Sequence, residues 1–485
     1  MEEKYQEIIS ALMERISVLE HELAETRKLL AEKDAVIAEL KARLDKNSQN
    51  SSMPPSSDGY RKPRPVSNRE KTGRKPGAQA GHPGSGLKMP EPDRIEDVRH
   101  IPEECAGCPL FGSCFKVTPS PVRNEIDAEI AVVLRRHYRE SYVCARRGGE
   151  VVSGKFPEGI ASGIQYGAGI KALAATLNTE GMMSVQRTHD FLSAVLGLPV
   201  CTGTICAMVR ELASQVSGTT RAVFDELLKS PVNNGDETGF RVNGKTYWLH
   251  SVCNEDFTFL SVQEKRGAEG MRNVGFLPEY RGILVSDCWG AYWQFPNLSH
   301  AICNAHILRE LKGIHESDPK QTWAEKLRKL LRETAHARNE AVRAGAPALP
   351  SETVLAFRTR YEDILRQAAA DNPLPVRQPG QRGRLAKGPV RCLIDRLTEH
   401  RDEALLFLED FRVPFTNNRA EQSLRMAKVK GKVSGCMRTV SGADDFAAIM
   451  SFIGSLKKHG INVFSAVKEA FLGNAYGLLF PALTE

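Results

Sequence analysis

Residues 232–287 constrain the fold more than any other part of this chain. The run from 232 to 265 reads as three strands. The first carries Asp236 and ends at Asn243-Gly244, a pair that tolerates the positive φ angles of a two-residue hairpin. TYWLHSVC is the second strand, Asn254-Glu255-Asp256 turns the chain, and FTFLSV is the third. GAEGMRNVGFLPEY reads as helical and leads into GILVSD, an apolar run of strand length that closes on Asp287. Three antiparallel strands, a helix and a fourth strand are expected to put the fourth beside the first. Asp236 and Asp287 then meet at one edge of the sheet.

That order of elements is the opening of a ribonuclease-H-like fold. A third acid is expected in TNNRAEQSLRMAKVKG. Glu421 is preferred to Asp402, Glu403, Glu409 and Asp410 because it follows Asn417-Asn418 at a helix start. Arg425 and Lys428 share its helical face, so one face carries an acid to hold metal and two bases to grip phosphate. Asn418 is expected to orient Glu421 or to touch DNA. In-line phosphodiester cleavage requires stabilising both the attacking and the leaving oxygen, and two magnesium ions about 3.5–4 Å apart, bridged by carboxylates, do this. Asp236 would bridge, and Asp287 and Glu421 would each complete one shell with hard oxygen donors. Glu237 adjoins Asp236 but faces the other way in a strand. Trp289, Tyr292 and Trp293 read as core or wall, with a stacking role on a displaced base as the functional option. Cys303-x-x-His306 has ligand-like spacing without a second pair, which points to packing or to support of the site.

The gap from Asp287 to Glu421 is far longer than a direct connection needs. Residues 307–408 are rich in helix formers and read as an α-helical insertion, broken by the basic loop DNPLPVRQPGQRGRLAKG. Domains 231–306 and 409–455 flank it, and 456–485 read as C-terminal helices. Toward the N-terminus, Ile9, Ile16, Leu23, Leu30, Ile37 and Leu44 recur every seven residues, with Leu12, Leu19 and Leu40 in the second seam and Thr26 and Lys33 as polar breaks. Residues 1–46 are therefore expected to form a coiled coil that joins copies of the chain. Residues 47–94, dominated by Ser, Pro and Gly, read as a flexible linker. Its RKPRPVSNREKTGRKPGAQAGHPG, with Arg74 and Lys75, suits a slim basic segment against a DNA groove.

Within 95–155, Cys105, Cys108, Cys114 and Cys144 make a tetrahedral zinc set, with His100 or His137 as alternatives to Cys144. A unit this small gains folding energy from a structural metal. Residues 156–230 read as helices, with Ser184 capping SVQRTHDFLSAVLG, Gly197 ending it, and Thr202 or Thr204 capping the next. Helix, turn and helix permit a DNA-binding helix-turn-helix, although a plain helical hairpin gives the same pattern.

A net charge of +7 matters less than its clustering in two loops, at 61–75 and 377–391, which favours a polyanionic partner. No apolar stretch is long enough to span a bilayer and the N-terminus lacks a signal-peptide core, so a cytoplasmic protein associated with the nucleoid is expected. Eleven cysteines in that setting argue against a disulfide framework.

Several segments together resemble the DDE transposases of the insertion sequence 66 family. They are GDETGFRV, SDCWGAYWQF, CNAHILREL and NNRAEQSLRMAKVKGKVSG, with GRKPGAQAGHPG and the thiol knuckle upstream. The resemblance implies a multidomain α/β protein with a ribonuclease-H-like catalytic domain that binds Mg²⁺, with Mn²⁺ as a substitute. It implies cleavage at the terminal repeats of a mobile element, strand transfer to target DNA, and companion proteins of the same element. A non-catalytic binder derived from a transposase and a nuclease without strand transfer remain as alternatives.

Overall fold

In a computed structural model of the protein, residues 2–44, 130–375 and 387–481 are described almost without a break, together with parts of 47–51, 94–126 and 377–382. The chain divides into two units, Met1–Arg64 with Arg136–Glu485, and Pro65–Arg135.

The heptad segment is one helix, α1 (Glu2–Leu44). All nine apolar seam residues named above are exposed, Leu23 by 51% and Leu30 by 63%, so among the described residues the stripe has no cover. In the smaller unit, Cys105 ends a 3₁₀ turn (Glu103–Cys105), and the Cys108 N–H donates to the Cys105 carbonyl at 3.2 Å. The Cys114 thiol donates to the Leu110 carbonyl at 3.6 Å. Cys144 lies in the larger unit, in β1 (Ser141–Cys144), which pairs antiparallel with β2 (Glu150–Ser153); its side chain is outside the described residues.

Three helices follow: α2 (Ala168–Thr179), α3 (Val185–Leu196) and α4 (Thr202–Lys229). Ser184 caps α3 by accepting the Arg187 N–H, and Gly197 ends it at φ 64°, in the left-handed region that favours glycine. The cap of α4 differs from expectation. Cys201 is the capping residue, with its sulfur 3.0 Å from the Thr204 hydroxyl, while Thr202 already lies inside the helix. Residues of α2 and α4 belong to the same apolar core as the sheet described next, while Ala174, Leu192, Val200, Ile205 and Met208 form a small core between the three helices themselves.

The sheet has five strands: β3 (Val232–Val242), β4 (Lys245–Cys253), β5 (Thr258–Gln263), β6 (Ile283–Ser286) and β7 (Ser299–Ile302), in the order β5-β4-β3-β6-β7. The first three form an antiparallel meander, and β6 and β7 add in parallel. Asn243 and Gly244 turn the hairpin with φ 47° and 77°, both positive as this turn requires. Two short helices, α5 (Ala268–Val274) and α6 (Phe276–Glu279), make the crossover from β5 to β6. Residues 249–253 of β4 are all buried, because both faces of the sheet are covered there.

After β7 comes a helical block: α7 (Asn304–Ser317), α8 (Thr322–Arg343), α9 (Ser351–Asp371), α10 (Gly388–Glu399) and α11 (Arg401–Leu405). It builds a second core around Trp323, Tyr361 and Phe407, into which Val285, Ala301 and Ile302 of the sheet also reach. The chain returns to the sheet as α12 (Asn418–Val433), lying along β3 and β4, and α13 (Val440–Lys458), lying along β5. Two shorter helices, α14 (Val463–Phe471) and α15 (Ala475–Leu479), finish the first core. No helix among the described residues is long and apolar enough to cross a membrane.

Candidate active site at the sheet edge

The register of the parallel strands sets the site. Val232, Asn233 and Asn234 pair with Ile283, Leu284 and Val285, so two residues further on Asp236 comes level with Asp287. On the other side of β6, Ser286 pairs with Ile302, which brings Cys303 level with Asp287. The Cys303 N–H donates to the Ser286 carbonyl at 2.9 Å, in keeping with that register.

Both aspartates are crowded and partly buried. Burial raises the Asp236 carboxyl well above the usual range, and the nearby charges of Glu237, Asp287 and Glu421 add to the shift. Asp287 is pushed up to about 6 by burial and by Glu237. Among the described residues, backbone amides donate to both: Glu237 N–H to Asp236 at 2.9 Å and Trp289 N–H to Asp287 at 3.2 Å.

Glu421 sits in the first turn of α12, and four bonds fix that turn. Asn417 donates through Nδ2 to the Gly235 carbonyl at 2.7 Å and accepts from Asn234 Nδ2 at 2.9 Å. Its own N–H donates to Cys303 Sγ at 3.1 Å. Ser423 and Ser251 share a hydroxyl contact at 2.5 Å, and Ser251 is the β4 partner of Asp236. The tying role expected of Asn418 therefore falls on Asn417, which is 1% exposed, while Asn418 is exposed one position further round the helix. Glu421 Oε1 is buried with no hydrogen-bond partner among the described residues; His306 Nδ1 is 3.8 Å from it and Arg309 3.7 Å.

Lys428 is half-buried and donates to the Gly239 carbonyl at 3.2 Å, which leaves Arg425 as the exposed base on that face. Arg74 and Lys75 lie outside the described residues. Glu237 is turned away from the α12 contacts, and its side chain is 1% exposed. It accepts from Arg266 Nε at 2.9 Å and from the Tyr292 hydroxyl at 2.6 Å. The Arg266 guanidinium lies 4.1 Å from the Trp289 ring centre and 4.9 Å from that of Trp248. Trp293 packs away from the carboxylates, stacked on His400 at 3.9 Å. Sequence reasoning missed Asn417, Arg266 and the closeness of Cys303 and His306 to Glu421; only the spacing of Cys303 and His306 carried any signal.

Comparison with known families gives the class. Residues 163–445 match the model of the IS66 family of transposases, and the match spans more than half the chain. The chain belongs to that family. Residues 5–88 also match a family of unknown function designated DUF6444, which spans the heptad helix and the Pro/Gly-rich segment. No curated protein matches the chain. Membership supports a transposase function, and with it DNA binding, nuclease or transferase activity and a divalent metal.

The residues present suit such a metal. Asp236 and Asp287 offer oxygen donors that repel one another when ionised, and among the described residues one carboxylate oxygen of Glu421 is buried without a hydrogen bond. A hard divalent cation would relieve the crowding at the aspartates.

Proposed function

We propose that the chain is a DDE transposase whose ribonuclease-H-like domain cleaves DNA at the ends of a mobile element and joins them to target DNA. The observation that carries this reading is geometric: the β3–β6 register brings Asp236 level with Asp287, and the bond from Asn417 to the Gly235 carbonyl holds the start of the helix that carries Glu421 against the same strand. Asp236 would be shared between two magnesium ions, or manganese in their place, with Asp287 and Glu421 each completing one shell. Bound there, the ions supply charge to the attacking and leaving oxygens of an in-line displacement.

The chain's own residues do the rest. Asn417 and Ser423 hold the start of α12 against β3 and β4, so Glu421 is aimed by rigid elements rather than by a loop. Arg425 and Lys428 offer positive charge to the DNA backbone along the same helix, and Arg74 and Lys75 would extend that contact. Water attack at the element end frees a 3′-hydroxyl. That hydroxyl then attacks a target phosphodiester, forming the new bond and releasing the target strand's own 3′-oxygen.

Two further parts complete the reading. Cys105, Cys108, Cys114 and Cys144 would hold a structural zinc ion. The apolar stripe of α1 would pair with a second copy of the chain, which suits an enzyme that handles two element ends, alongside companion proteins of the same element. The test is a strand-transfer assay with labelled end DNA, a plasmid target and Mg²⁺, comparing wild type with Asp236→Asn. Joined product that disappears in the variant supports the reading. Joining that persists in Asp236→Asn removes it.

A further inference from the structure

One partly buried cluster shares only Glu421 with the proposed triad. Cys303 caps α7, and His306 lies in the first turn of that helix. Glu421 lies in the first turn of α12. One ligand atom from each of the three lies within 4.8 Å of the other two, and among the described residues this is the one group with metal-ligand spacing. Tetrahedral zinc with Zn–N near 2.0–2.1 Å and Zn–S near 2.3 Å places its ligand atoms about 3.3–3.6 Å apart. The 3.8 Å between His306 Nδ1 and Glu421 Oε1 is a few tenths from that range.

The two atoms are also orphans. His306 Nδ1 and Glu421 Oε1 are both buried, and neither has a hydrogen-bond partner among the described residues. Arg309 lies 3.7 Å from Glu421 Oε1, beyond hydrogen-bond distance, so one cation between the two atoms would give each a direct partner. Burial, with Arg309 and Arg396 nearby, keeps the imidazole neutral, so its ring nitrogen has a lone pair to offer.

The thiol is prepared in a different way. Cys303 Sγ accepts the Asn417 N–H at 3.1 Å, and the N–H groups of Ala305 and His306 at the start of α7 also favour its anion. Burial opposes ionisation and pushes the free thiol up to about 11, so coordination has to expel the proton to solvent as the sulfur–metal bond forms. A thiolate and a carboxylate together carry two negative charges. Beside a divalent cation they leave the guanidinium of Arg309 as the surplus charge, and its Nε is tethered to the Ala305 carbonyl at 3.3 Å.

We propose that Cys303, His306 and Glu421 form a site for a thiophilic divalent cation of the zinc class. Sulfur and imidazole donors select against magnesium, which takes oxygen. Three protein ligands leave the fourth tetrahedral position to solvent. Binding here does not depend on the DDE reading, although Glu421 serves in both.

The test is titration of the full-length protein with cobalt(II), followed by thiolate-to-metal charge-transfer absorption. Any cobalt at the other cysteines contributes equally to wild type and to Cys303→Ser, so the difference between them reports Cys303 alone. The expected result is a difference of one equivalent per chain. His306→Gln and Glu421→Gln, which keep the sulfur, should weaken that component at least about tenfold. Circular dichroism of each variant separates lost binding from lost folding, and Asp287→Asn should retain the component. Equal absorption in wild type and Cys303→Ser overturns the proposal. So does unchanged affinity in folded His306→Gln and Glu421→Gln, and so does a loss in Asp287→Asn as large as in Glu421→Gln.

Discussion

Asn417 Nδ2 donates to the Gly235 carbonyl at 2.7 Å, which ties the residue before the α12 helix to the residue before Asp236. The first and last acids of the proposed triad are thereby held by one amide, although they lie far apart in sequence. The partners of Asn417 are buried, so Asn417→Ala leaves the Asn234 amide and a strand carbonyl unpaired. Its expected cost is about 1–3 kcal/mol of stability. A displacement of Glu421 by about 1 Å is expected to slow DNA cleavage by about 100-fold. Asn418→Ala, at an exposed position, is expected to change stability by less than about 0.5 kcal/mol. Thermal unfolding and a nicking assay on the two variants check the contrast.

The raised carboxyls make a statement about pH. In the metal-free protein Asp287 titrates near 6 rather than near its ordinary value of 3.8, because burial disfavours its charge. A group with a raised folded-state value contributes its stability below its unfolded value and loses it as pH climbs through the folded one. Relative to Asp287→Asn, chelator-treated wild type is therefore expected to lose stability between pH 4 and pH 7, by about 3 kcal/mol at most. The largely buried, neutral His250 and His306 act in the opposite direction but do so in both proteins, so they cancel in the difference. Mg²⁺ should restore stability at pH 7.5 and do little at pH 5. Melting curves of both proteins at several pH values, with chelator and with Mg²⁺, decide it; a metal-free difference that stays constant or grows in favour of wild type from pH 4 to pH 7 contradicts the assignment.

The meander and its crossover are legible because they depend on local signals. Asn243-Gly244 can hardly be anything but a tight turn, and GILVSD has the length and composition of a buried strand. Glu421 stands out as a candidate for a chemical reason, since a basic helix face beside an acid marks a place for phosphate. The choice between Asn417 and Asn418 is not legible. The two differ by one step of helix phase, and only the carbonyl of Gly235 decides which one turns inward. Cys303 and Asn417 meet across the whole helical block between them, so nothing in either local sequence announces the contact. The cap of α4 is not legible either: Thr202 and Thr204 are common capping residues, whereas the turn at Leu198-Pro199-Val200 delivers Cys201 to that position.

Glu237 and Arg266 form the other support of the site. The carboxylate is fully enclosed and divides its oxygens between Arg266 and the Tyr292 hydroxyl. Glu237→Ala leaves a buried phenol without an acceptor and frees a guanidinium held beside two tryptophans. The expected loss is about 2–4 kcal/mol, more than a surface ion pair would give. Glu237→Gln keeps the shape and an acceptor for Tyr292, so it should lose less. Denaturant melts of both variants check the order, and equal losses would mean that the charge rather than the hydrogen bonding carries the effect.

The stripe on α1 bears on assembly. Ile9, Ile16, Leu23, Leu30, Ile37 and Leu44 repeat at the heptad spacing and stand exposed along a helix of 43 residues. A helix this long with an uncovered apolar seam is marginal by itself, and a second helix packed against the seam buries it. Each Leu→Asp change at the seam would bury a charge in such a pairing, whereas on a solvated single helix it would cost little. Leu23→Asp with Leu30→Asp is therefore expected to convert an oligomer into a monomer while leaving the melting of the sheet domain unchanged. Light scattering after size-exclusion chromatography reads the mass directly. Wild-type protein that is already monomeric at micromolar concentration would remove α1 as a self-association element. It would also leave the pairing of two DNA ends to some other surface.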